Sequence, residues 1–273
     1  MAMKYDTGTD LLLCSVSDGV ATITLNNPDK RNAMSGDMVP ALTRMLVATE
    51  GDESVWVLVL TGAGGSFCAG GDVEAMSAQL GDGKSPNAET MIRTLQDAQQ
   101  DCSLRLYEYA KPTIAALPGP AAGAGMSLAL ACDIRICGES GFLYPAFGAI
   151  GLSGDFGGSW FLSRLLGPAL AKEIYFLNRR ILPGEGAAWG LFNRVVADAD
   201  LPEETMAVAR QIAGFAPMAL RYMKENHNRA QAMDLRTALD LEADRMIRTL
   251  LSEDHNEGAR AFLEKRSPIF KGR

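Results

Sequence analysis

The chain has 273 residues, of which 47% are hydrophobic and 22% are charged. This composition is ample for a buried core, so it excludes a disordered protein, and the length suits one core with a smaller appendage. The net charge of -7 argues against nucleic acid as a partner, because a polyanion is held by clustered positive charge.

The cysteines, the first residues and the apolar runs predict where in the cell the protein is found. The five cysteines have neither CxxC pairing nor zinc-site spacing, so we expect reduced thiols and no metal site. The first ten residues are polar and lack the basic lead and apolar stretch of a secretory signal. The best apolar run, Ala121–Cys132, is too short to span a membrane. We therefore expect a soluble, cytoplasmic protein with no membrane partner.

Strands and helices are predicted to alternate in the first part of the chain. Four segments rich in β-branched and apolar residues predict strands: Val20–Leu25, Val55–Thr61, Thr113–Leu117 and Ile134–Cys137. Between the first two, apolar residues recur at helical spacing, with Ser35 as the expected N-cap and Pro40 in the first turn. This alternation favours an α/β fold with right-handed crossovers.

The later part of the chain is predicted to become helical. Ser77–Thr90 is polar and contains glycine and proline, which predicts a loop before a helix over Met91–Tyr109. Ser159–Asn178 predicts helix with a break at Gly167-Pro168. Further helical patterns cover Glu203–Phe215, Pro217–Arg229 and Leu235–Leu251. We therefore divide the chain into a core at 1–200 and a helical C-terminal region at 201–273.

Two small-residue turns carry the strongest functional signal. Ser66–Asp72 (SFCAGGD) and Gly119–Asp133 (GPAAGAGMSLALACD) each follow an apolar run and open a predicted helix. The first N–H groups of a helix have no partner inside it, so each turn can direct free donors outward. Two such donors converging on one carbonyl oxygen form an oxyanion hole for acyl chemistry. Taken singly, either turn fits an ordinary strand-to-helix connection equally well.

Five segments follow one another along the chain. They are NNPDKRNAMS (26–35), SFCAGGDVEAM (66–76), KPTIAALPGPAAGAGMSLALACDIRI (111–136), IGLSGDFGGSWFLSRLLG (150–167) and WGLFNRVV (189–196). This succession closely resembles the crotonase superfamily, also called the enoyl-CoA hydratase/isomerase family, over about residues 10–273. The resemblance implies an α/β spiral of ββα units with a helical C-terminal region that assembles trimers or dimers of trimers. It also implies an acyl-CoA thioester substrate, with coenzyme A as part of that substrate and no metal or redox cofactor.

The resemblance also assigns site residues by position. It implies that the N–H groups of Gly71 and Ala124 form the oxyanion hole, although the family usually has glycine at the second position. The positions implied for coenzyme A are Lys30 and Arg31 along the nucleotide, and the backbone of Ala33, Ala69, Asp72 and Val73 at adenine and pantetheine. Glu74 stands where the family often has lysine, which implies one lost phosphate contact.

The C-terminal tail is a second candidate for nucleotide contacts. It holds five cations between Arg260 and Arg273, against the single carboxylate of Glu264. By resemblance, Phe262 and Lys265 reach the nucleotide of a neighbouring subunit. A solvated, cationic helix end explains the same charges equally well.

The residues expected to move protons depart from the hydratase pattern. Hydration needs two positioned acid/base groups, and the resemblance puts glutamates where this chain has Ser127 and Phe147. Asp155, in GLSGDFGGS, matches the acidic residue that faces the acyl group in isomerase-type members. We therefore expect isomerisation of an enoyl-CoA double bond with Asp155 as acid and base. Alternatively, Asp155 is only the N-cap of a helix at Gly157–Leu166.

Other interpretations remain open. Phe147 and Tyr144 either shape an apolar acyl pocket or pack the core. Hydratase or thioester hydrolase chemistry would need another acid, for which Glu108 is a candidate, and a non-catalytic acyl-CoA-binding subunit is a third possibility. Dehalogenation is disfavoured because the two histidines, His227 and His255, lie in the helical region. Ser127 is disfavoured as a nucleophile because there is no GxSxG elbow.

Overall fold

A seven-stranded sheet organises the part of the chain that the computed structural model describes, residues 3–81 and 87–273. In spatial order its strands are β1 (Met3–Tyr5), β2 (Leu12–Ser17), β3 (Val20–Leu25), β4 (Val57–Gly62), β5 (Thr113–Leu117), β7 (Ile134–Gly138) and β9 (Arg194–Val196). The first three are antiparallel and the rest are parallel. A separate parallel pair joins β6 (Pro120–Ala122) to β8 (Phe142–Tyr144). The four predicted strands are confirmed.

Helices connect and cover these strands. They are α1 (Met38–Gly51), α2 (Val73–Gly81), α3 (Ala88–Gln99), α4 (Arg105–Glu108), α5 (Ala124–Ala131), α6 (Gly158–Leu166), α7 (Pro168–Phe176), α8 (Pro183–Ala188), α9 (Leu201–Ala213), α10 (Pro217–Ala230), α11 (Leu235–Leu250) and α12 (Glu253–Glu264). A π-helical turn at Gln100–Leu104 joins α3 to α4, so the helix predicted over 91–109 is confirmed. The predicted break at Gly167-Pro168 separates α6 from α7. No described helix combines the length and apolarity needed to cross a membrane.

The parallel part of the sheet is buried on both faces. Side chains alternate along a strand, so Leu58 and Leu60 of β4 join the large core cluster that includes Leu42 of α1. Val57 and Val59 point the other way and pack with residues of α9 in a second cluster. Four successive apolar residues therefore suit the first part of β4, because helices cover both sides of it. The five cysteines, all within the described residues, are buried and free.

The start of α1 differs from the prediction. Ser35 is not the N-cap; the helix begins at Met38 after Asp37, which makes no side-chain capping bond. Before the helix, the Met34 N–H donates to the carbonyl oxygen of Gly70 at 2.7 Å, and a turn with Gly36 at φ 52° separates Ser35 from the first helical residue. Pro40 does lie in the first turn.

The bounds predicted for the loop, 77–90, are wrong at both ends. Helix α2 continues through Gly81, and α3 begins at Ala88, where the Asn87 side chain accepts a bond from the Glu89 N–H. Residues 82–86 lie outside the described residues. A further helix, α12, was not predicted; the Ser252 side chain caps it by accepting from the His255 N–H.

Gly125 permits a close contact that the fold requires. A Cβ atom there would lie 2.4 Å from the carbonyl oxygen of Cys68, which is backbone and cannot swing away. We expect Gly125→Ala to lower the free energy of unfolding by about 1–3 kcal/mol, measured by urea denaturation. Gly184→Ala in α8 is the matched control, because no atom lies within 4 Å of its Cβ position. Equal stability of the two variants would contradict this packing argument.

Candidate active site

Backbone hydrogen bonds join the two small-residue turns. The N–H groups of Phe67 and Cys68 donate to the carbonyl oxygen of Pro120 at 3.0 and 3.2 Å, and the Ala122 N–H donates to Cys68 O at 2.8 Å. The first turn thus pairs with β6 as a short parallel bridge. This pairing fixes the register between two segments that are about fifty residues apart in sequence.

The pairing brings Gly71 and Ala124 together. Gly70, at φ 90°, lies so close to the second turn that a Cβ would be 2.8 Å from Ala122 O and 3.2 Å from Ala124 N. Ala124 is the first residue of α5, after Gly123 at φ 53°. Among the described residues, no acceptor takes the N–H of Gly71 or of Ala124. Both predicted donors are therefore available at one place.

The segment predicted to follow the nucleotide lies against the first turn. The Ala69 N–H donates to Arg31 O at 2.9 Å, and Arg31 and Asn32 both adopt left-handed backbone at φ 50° and 57°. Asn32, which we did not predict, is buried and holds this conformation. Its Nδ2 donates to the carbonyl oxygens of Ala63 and Ser66 at 2.9 and 2.8 Å. Asparagine tolerates left-handed backbone better than most residues, so its presence at position 32 could have indicated a turn residue that shapes the site.

Lys30 forms an ion pair at the edge of this segment. Its Nζ lies 2.9 Å from Asp72 Oδ2 and 3.4 Å from Glu74 Oε2. The hydrogen bond to Asp72 raises the pKa of Lys30 and holds the pKa of Asp72 below its usual value. Asp72 Oδ1 also accepts from the Ala75 N–H and so caps α2. Glu74 therefore contacts the very lysine that is predicted to meet the nucleotide.

Asp155 is partly buried, and its carboxylate is short of partners. Its Oδ1 is shielded from solvent and has no hydrogen-bond partner among the described residues. Burial raises the pKa of Asp155 to about 6. The alternative role as a helix N-cap is wrong: Gly157 occupies that position in α6, and no side chain makes a capping bond. Within the described part of the chain, the partners of Asp155 meet its main-chain carbonyl: the Gly158 N–H at 3.2 Å and Ser127 Oγ at 3.0 Å.

Two aromatic side chains, Phe147 and Tyr175, lie next to Gly154, which precedes Asp155: a Cβ there would be 3.5 Å from the Tyr175 ring and 3.9 Å from the Phe147 ring. Phe147 is buried and stacks on Tyr175, with ring centroids 6.2 Å apart and planes within 9°. A Cβ on Gly123 would lie 3.8 Å from the Phe147 ring. Phe147 therefore contacts the second turn, as the predicted acyl-pocket role requires, and its side chain is also buried. Tyr144 instead accepts a hydrogen bond from Asn178 Nδ2 at 2.6 Å.

Two further side chains reach the site without having been predicted. Met76 of α2 packs on Gly71, because a Cβ there would lie 2.3 Å from the Met76 methyl group. Tyr175 of α7 places its hydroxyl near Ser127, since a Cβ on Gly158 would meet both oxygen atoms at 2.5 Å. Neither residue belongs to a motif, so only the folded chain reveals them.

The other predicted residues differ in their exposure. Ala33 is buried, and Val73 begins α2 with half of its surface exposed. Phe262 is 83% exposed on α12, and Lys265 ends that helix with φ 54°. Glu108 is exposed in α4. None of the last three belongs to the described set of contacts that joins the two turns.

The tail cations are partly neutralised within the tail itself. Arg266 lies 2.6 Å from Glu257 and 2.6 Å from Glu264, and Arg273 lies 3.3 Å from Glu253. The hydrogen bond from Arg266 lowers the pKa of Glu257 to about 2. Because these arginines pair with carboxylates of α12, the tail has less positive charge available for a nucleotide than its count of cations implies.

A separate cavity of about 450 Å³ lies beside α10. It is lined by residues that include Tyr107, Asp133, Trp160 and Lys224. The Lys224 side chain is 8% exposed, and its Nζ lies 2.8 Å from Asp133 Oδ2. Asp133 also accepts from the Thr113 N–H at 2.8 Å, so it has a structural role at the start of β5. This cavity contains none of the predicted site residues.

Known proteins resemble this chain over most of its length. The family model for enoyl-CoA hydratase/isomerase matches residues 15–273. The chain belongs to this family, the crotonase superfamily. A similar protein is the 1,2-epoxyphenylacetyl-CoA isomerase of Escherichia coli (strain K12), 36% identical over 97% of this chain and 99% of that protein. Another is a probable enoyl-CoA hydratase of Rhodobacter capsulatus, 36% identical over 94% of this chain and 96% of that one.

Solved structures share the fold as well. An enoyl-CoA hydratase from Polaromonas sp. JS666 superposes with a TM-score of 0.89 at 34% identity, covering 95% of this chain and 99% of that one. The predicted crotonase-type α/β fold with a helical C-terminal region is confirmed. The relatives' names include an isomerase and hydratases, so membership establishes an acyl-CoA enzyme of this family rather than one reaction.

The burial of Asp155 predicts a stability effect with a definite sign. Its folded-state pKa of about 6 lies above the ordinary value of 3.8, so the folded chain holds more protons than the unfolded chain between these limits. This contribution makes stability fall as pH rises from about 4 to about 6. We expect Asp155→Asn to raise the free energy of unfolding at pH 8 by on the order of 1–2 kcal/mol, allowing for partial exposure.

The measurement is urea denaturation of both proteins at about pH 4.5 and pH 8. The gain should shrink at the lower pH, where the carboxyl is mostly protonated in the folded chain. Asp240→Asn, at an exposed position of α11, is the control and should change stability by less than about 0.5 kcal/mol at either pH. A destabilised Asp155→Asn at pH 8 would contradict the unpaired burial described above.

Proposed function

We propose that this protein is an enoyl-CoA isomerase in which Asp155 moves a proton between carbons of a thioester enolate. The observation that carries the proposal is the partly buried carboxylate, with one oxygen unpartnered among the described residues and a pKa of about 6. A group with this pKa is ionised at neutral pH and still basic enough to take a carbon-bound proton beside an activated carbonyl.

The N–H groups of Gly71 and Ala124 supply that activation. Both donors lie at adjoining turns and are free among the described residues, so a thioester carbonyl oxygen can accept from both. Negative charge that develops on this oxygen in the enolate is then stabilised by fixed dipoles, which in other enzymes contribute about 10²–10³-fold per donor. Met76, packed on Gly71, would cover the thioester once it binds.

Isomerisation fits the acid/base inventory better than hydration does. Adding water needs one group to activate the water and another to protonate the neighbouring carbon. Ser127 binds the main chain of Asp155 through its hydroxyl, and Phe147 is a hydrocarbon stacked on Tyr175, so neither position offers a second carboxylate. One carboxylate that takes a proton from one carbon and returns it to another suffices for moving a double bond.

Coenzyme A would lie along the segment that follows β3. Lys30 and Arg31 would meet its phosphates, and the backbone of Ala33, Ala69, Asp72 and Val73 would meet its adenine and pantetheine. Phe262 and Lys265 would serve a neighbouring subunit in a homo-trimer or a dimer of trimers. Exposed apolar side chains on the helical region support such an assembly: Phe262 is 83% exposed, Leu263 80% and Leu251 78%. No further cofactor enters this proposal.

Asp155→Asn tests the proton carrier directly. We expect the variant to lose at least about 10³-fold in exchange of the substrate's allylic protons with D₂O, because an amide cannot accept the proton. Dissociation constants for saturated acyl-CoA esters should stay within about twofold. The same exchange in the unchanged protein should rise with pH through about 6, where Asp155 ionises.

Asp240→Asn serves as the matched carboxylate control and should keep full exchange. Undiminished turnover in Asp155→Asn would overturn the assignment. Efficient hydration of crotonyl-CoA would instead favour the hydratase alternative, and tight ester binding without turnover of any thioester would favour a non-catalytic acyl-CoA-binding subunit.

Lys30→Met tests the nucleotide contact. We expect KM for a CoA thioester to rise roughly tenfold, since a charge-assisted bond to phosphate is lost at a half-exposed position. The same acyl group on N-acetylcysteamine lacks the nucleotide, so its kinetics should not change. Lys172→Met, at an exposed position of α7, is the control. An equal loss with both thioesters would contradict a phosphate contact.

A further inference from the structure

Tyr175 reaches the site from α7, a helix that contributes none of the predicted site residues. Its ring is fixed by stacking on Phe147, at 6.2 Å between centroids. Its hydroxyl lies beside Ser127 Oγ, since both oxygens are 2.5 Å from the point where a Gly158 Cβ would stand. The two hydroxyls are therefore no further apart than twice that distance. Glycine at 158 leaves the room that both groups need.

The Tyr175 hydroxyl is hidden from solvent and has no hydrogen-bond partner among the described residues. The same is true of Asp155 Oδ1. A buried polar oxygen left unpaired costs about 1–3 kcal/mol, so two of them in one neighbourhood call for an explanation. Ser127 does not provide it: its hydroxyl donates to the main-chain carbonyl of Asp155 at 3.0 Å, and among the described residues neither unpaired oxygen makes a hydrogen bond with it.

The two orphaned groups complement each other chemically. Burial, with a further contribution from the Asp155 charge, raises the pKa of Tyr175, so its hydroxyl stays protonated and acts as a donor. Asp155 in its ionised form is an acceptor only. A ligand that satisfies both groups needs an oxygen to accept from Tyr175 and a proton that Asp155 can approach.

We propose that the Tyr175 hydroxyl is a specificity-determining donor for an oxygen substituent on the acyl group, so that the preferred substrates are oxygenated acyl-CoA thioesters. This inference rests on the acyl-CoA site of the proposed function. An all-hydrocarbon acyl chain would bury against the hydroxyl and leave it unpaired, whereas a hydroxyl, carbonyl or epoxide oxygen accepts its hydrogen bond. Sites built around a buried polar donor discriminate strongly against analogues that lack the acceptor.

Calorimetric binding of matched esters tests the subsite without any turnover. The probes are butyryl-CoA, 3-hydroxybutyryl-CoA and 4-hydroxybutyryl-CoA, with the unchanged protein, Tyr175→Phe and the control Tyr222→Phe. Phenylalanine keeps the ring stacked on Phe147 and removes only the oxygen. Tyr222 lies on α10 beneath Arg245, outside the site, and loses the same atom.

We expect the unchanged protein and Tyr222→Phe to bind at least one hydroxylated ester about tenfold more tightly than butyryl-CoA. Tyr175→Phe should bind all three esters within about twofold of one another, with its butyryl-CoA affinity unaltered. The subsite is overturned if the unchanged protein shows no preference, or if the preference survives in Tyr175→Phe. Either result leaves the Asp155 proposal standing if butyryl-CoA still binds, whereas undiminished turnover in Asp155→Asn, which would overturn that proposal, leaves this binding preference untouched.

Discussion

The pairing of the turn at 66–72 with β6 is the constraint on which the site depends. Hydrogen bonds between Cys68, Pro120 and Ala122 place two distant stretches of backbone side by side. The approach is so close that Gly70 and Gly125 have no room for a Cβ beside the facing backbone atoms. Since catalytic donors must be held within about 0.5 Å of their working positions, a sheet-like register between the two turns achieves what separate mobile loops could not.

The same helix that begins at this pairing also positions the carboxylate. Ser127 lies one turn after Ala124 in α5, and its hydroxyl binds the main chain of Asp155 rather than its side chain. The carboxylate is thus located by its backbone and left without a side-chain partner among the described residues. Unpaired buried oxygen atoms lower stability, and such local violations of good packing chemistry are typical of functional sites.

Local patterns predicted the strands, both turns and the break between α6 and α7, because these features depend on residues adjacent in sequence. Predictions failed where distant residues decide the outcome. Ser35 does not cap α1, since Met34 binds the distant Gly70 and a turn with left-handed Gly36 then separates Ser35 from the helix. Tyr175 could not be foreseen, because only the packing of α7 on Phe147 brings its hydroxyl to Ser127. The resemblance to the family predicted which positions belong to the site. Their burial and their contacts could be read only from the folded chain.

A lone carboxylate behaves differently from the pair of glutamates that hydration needs. Two neighbouring carboxylates repel when both are charged, so one of them holds a proton and can act as an acid. For Asp155, burial alone accounts for the shift in pKa, which leaves the group ionised at neutral pH and committed to taking a proton. In the proposed reaction, an oxygen substituent of the acyl group beyond the thioester carbonyl needs a neutral donor, and we assign this role to the protonated Tyr175 hydroxyl beside Ser127. With serine at position 127, the proposed site therefore has a single carboxylate as acceptor and a phenol as donor.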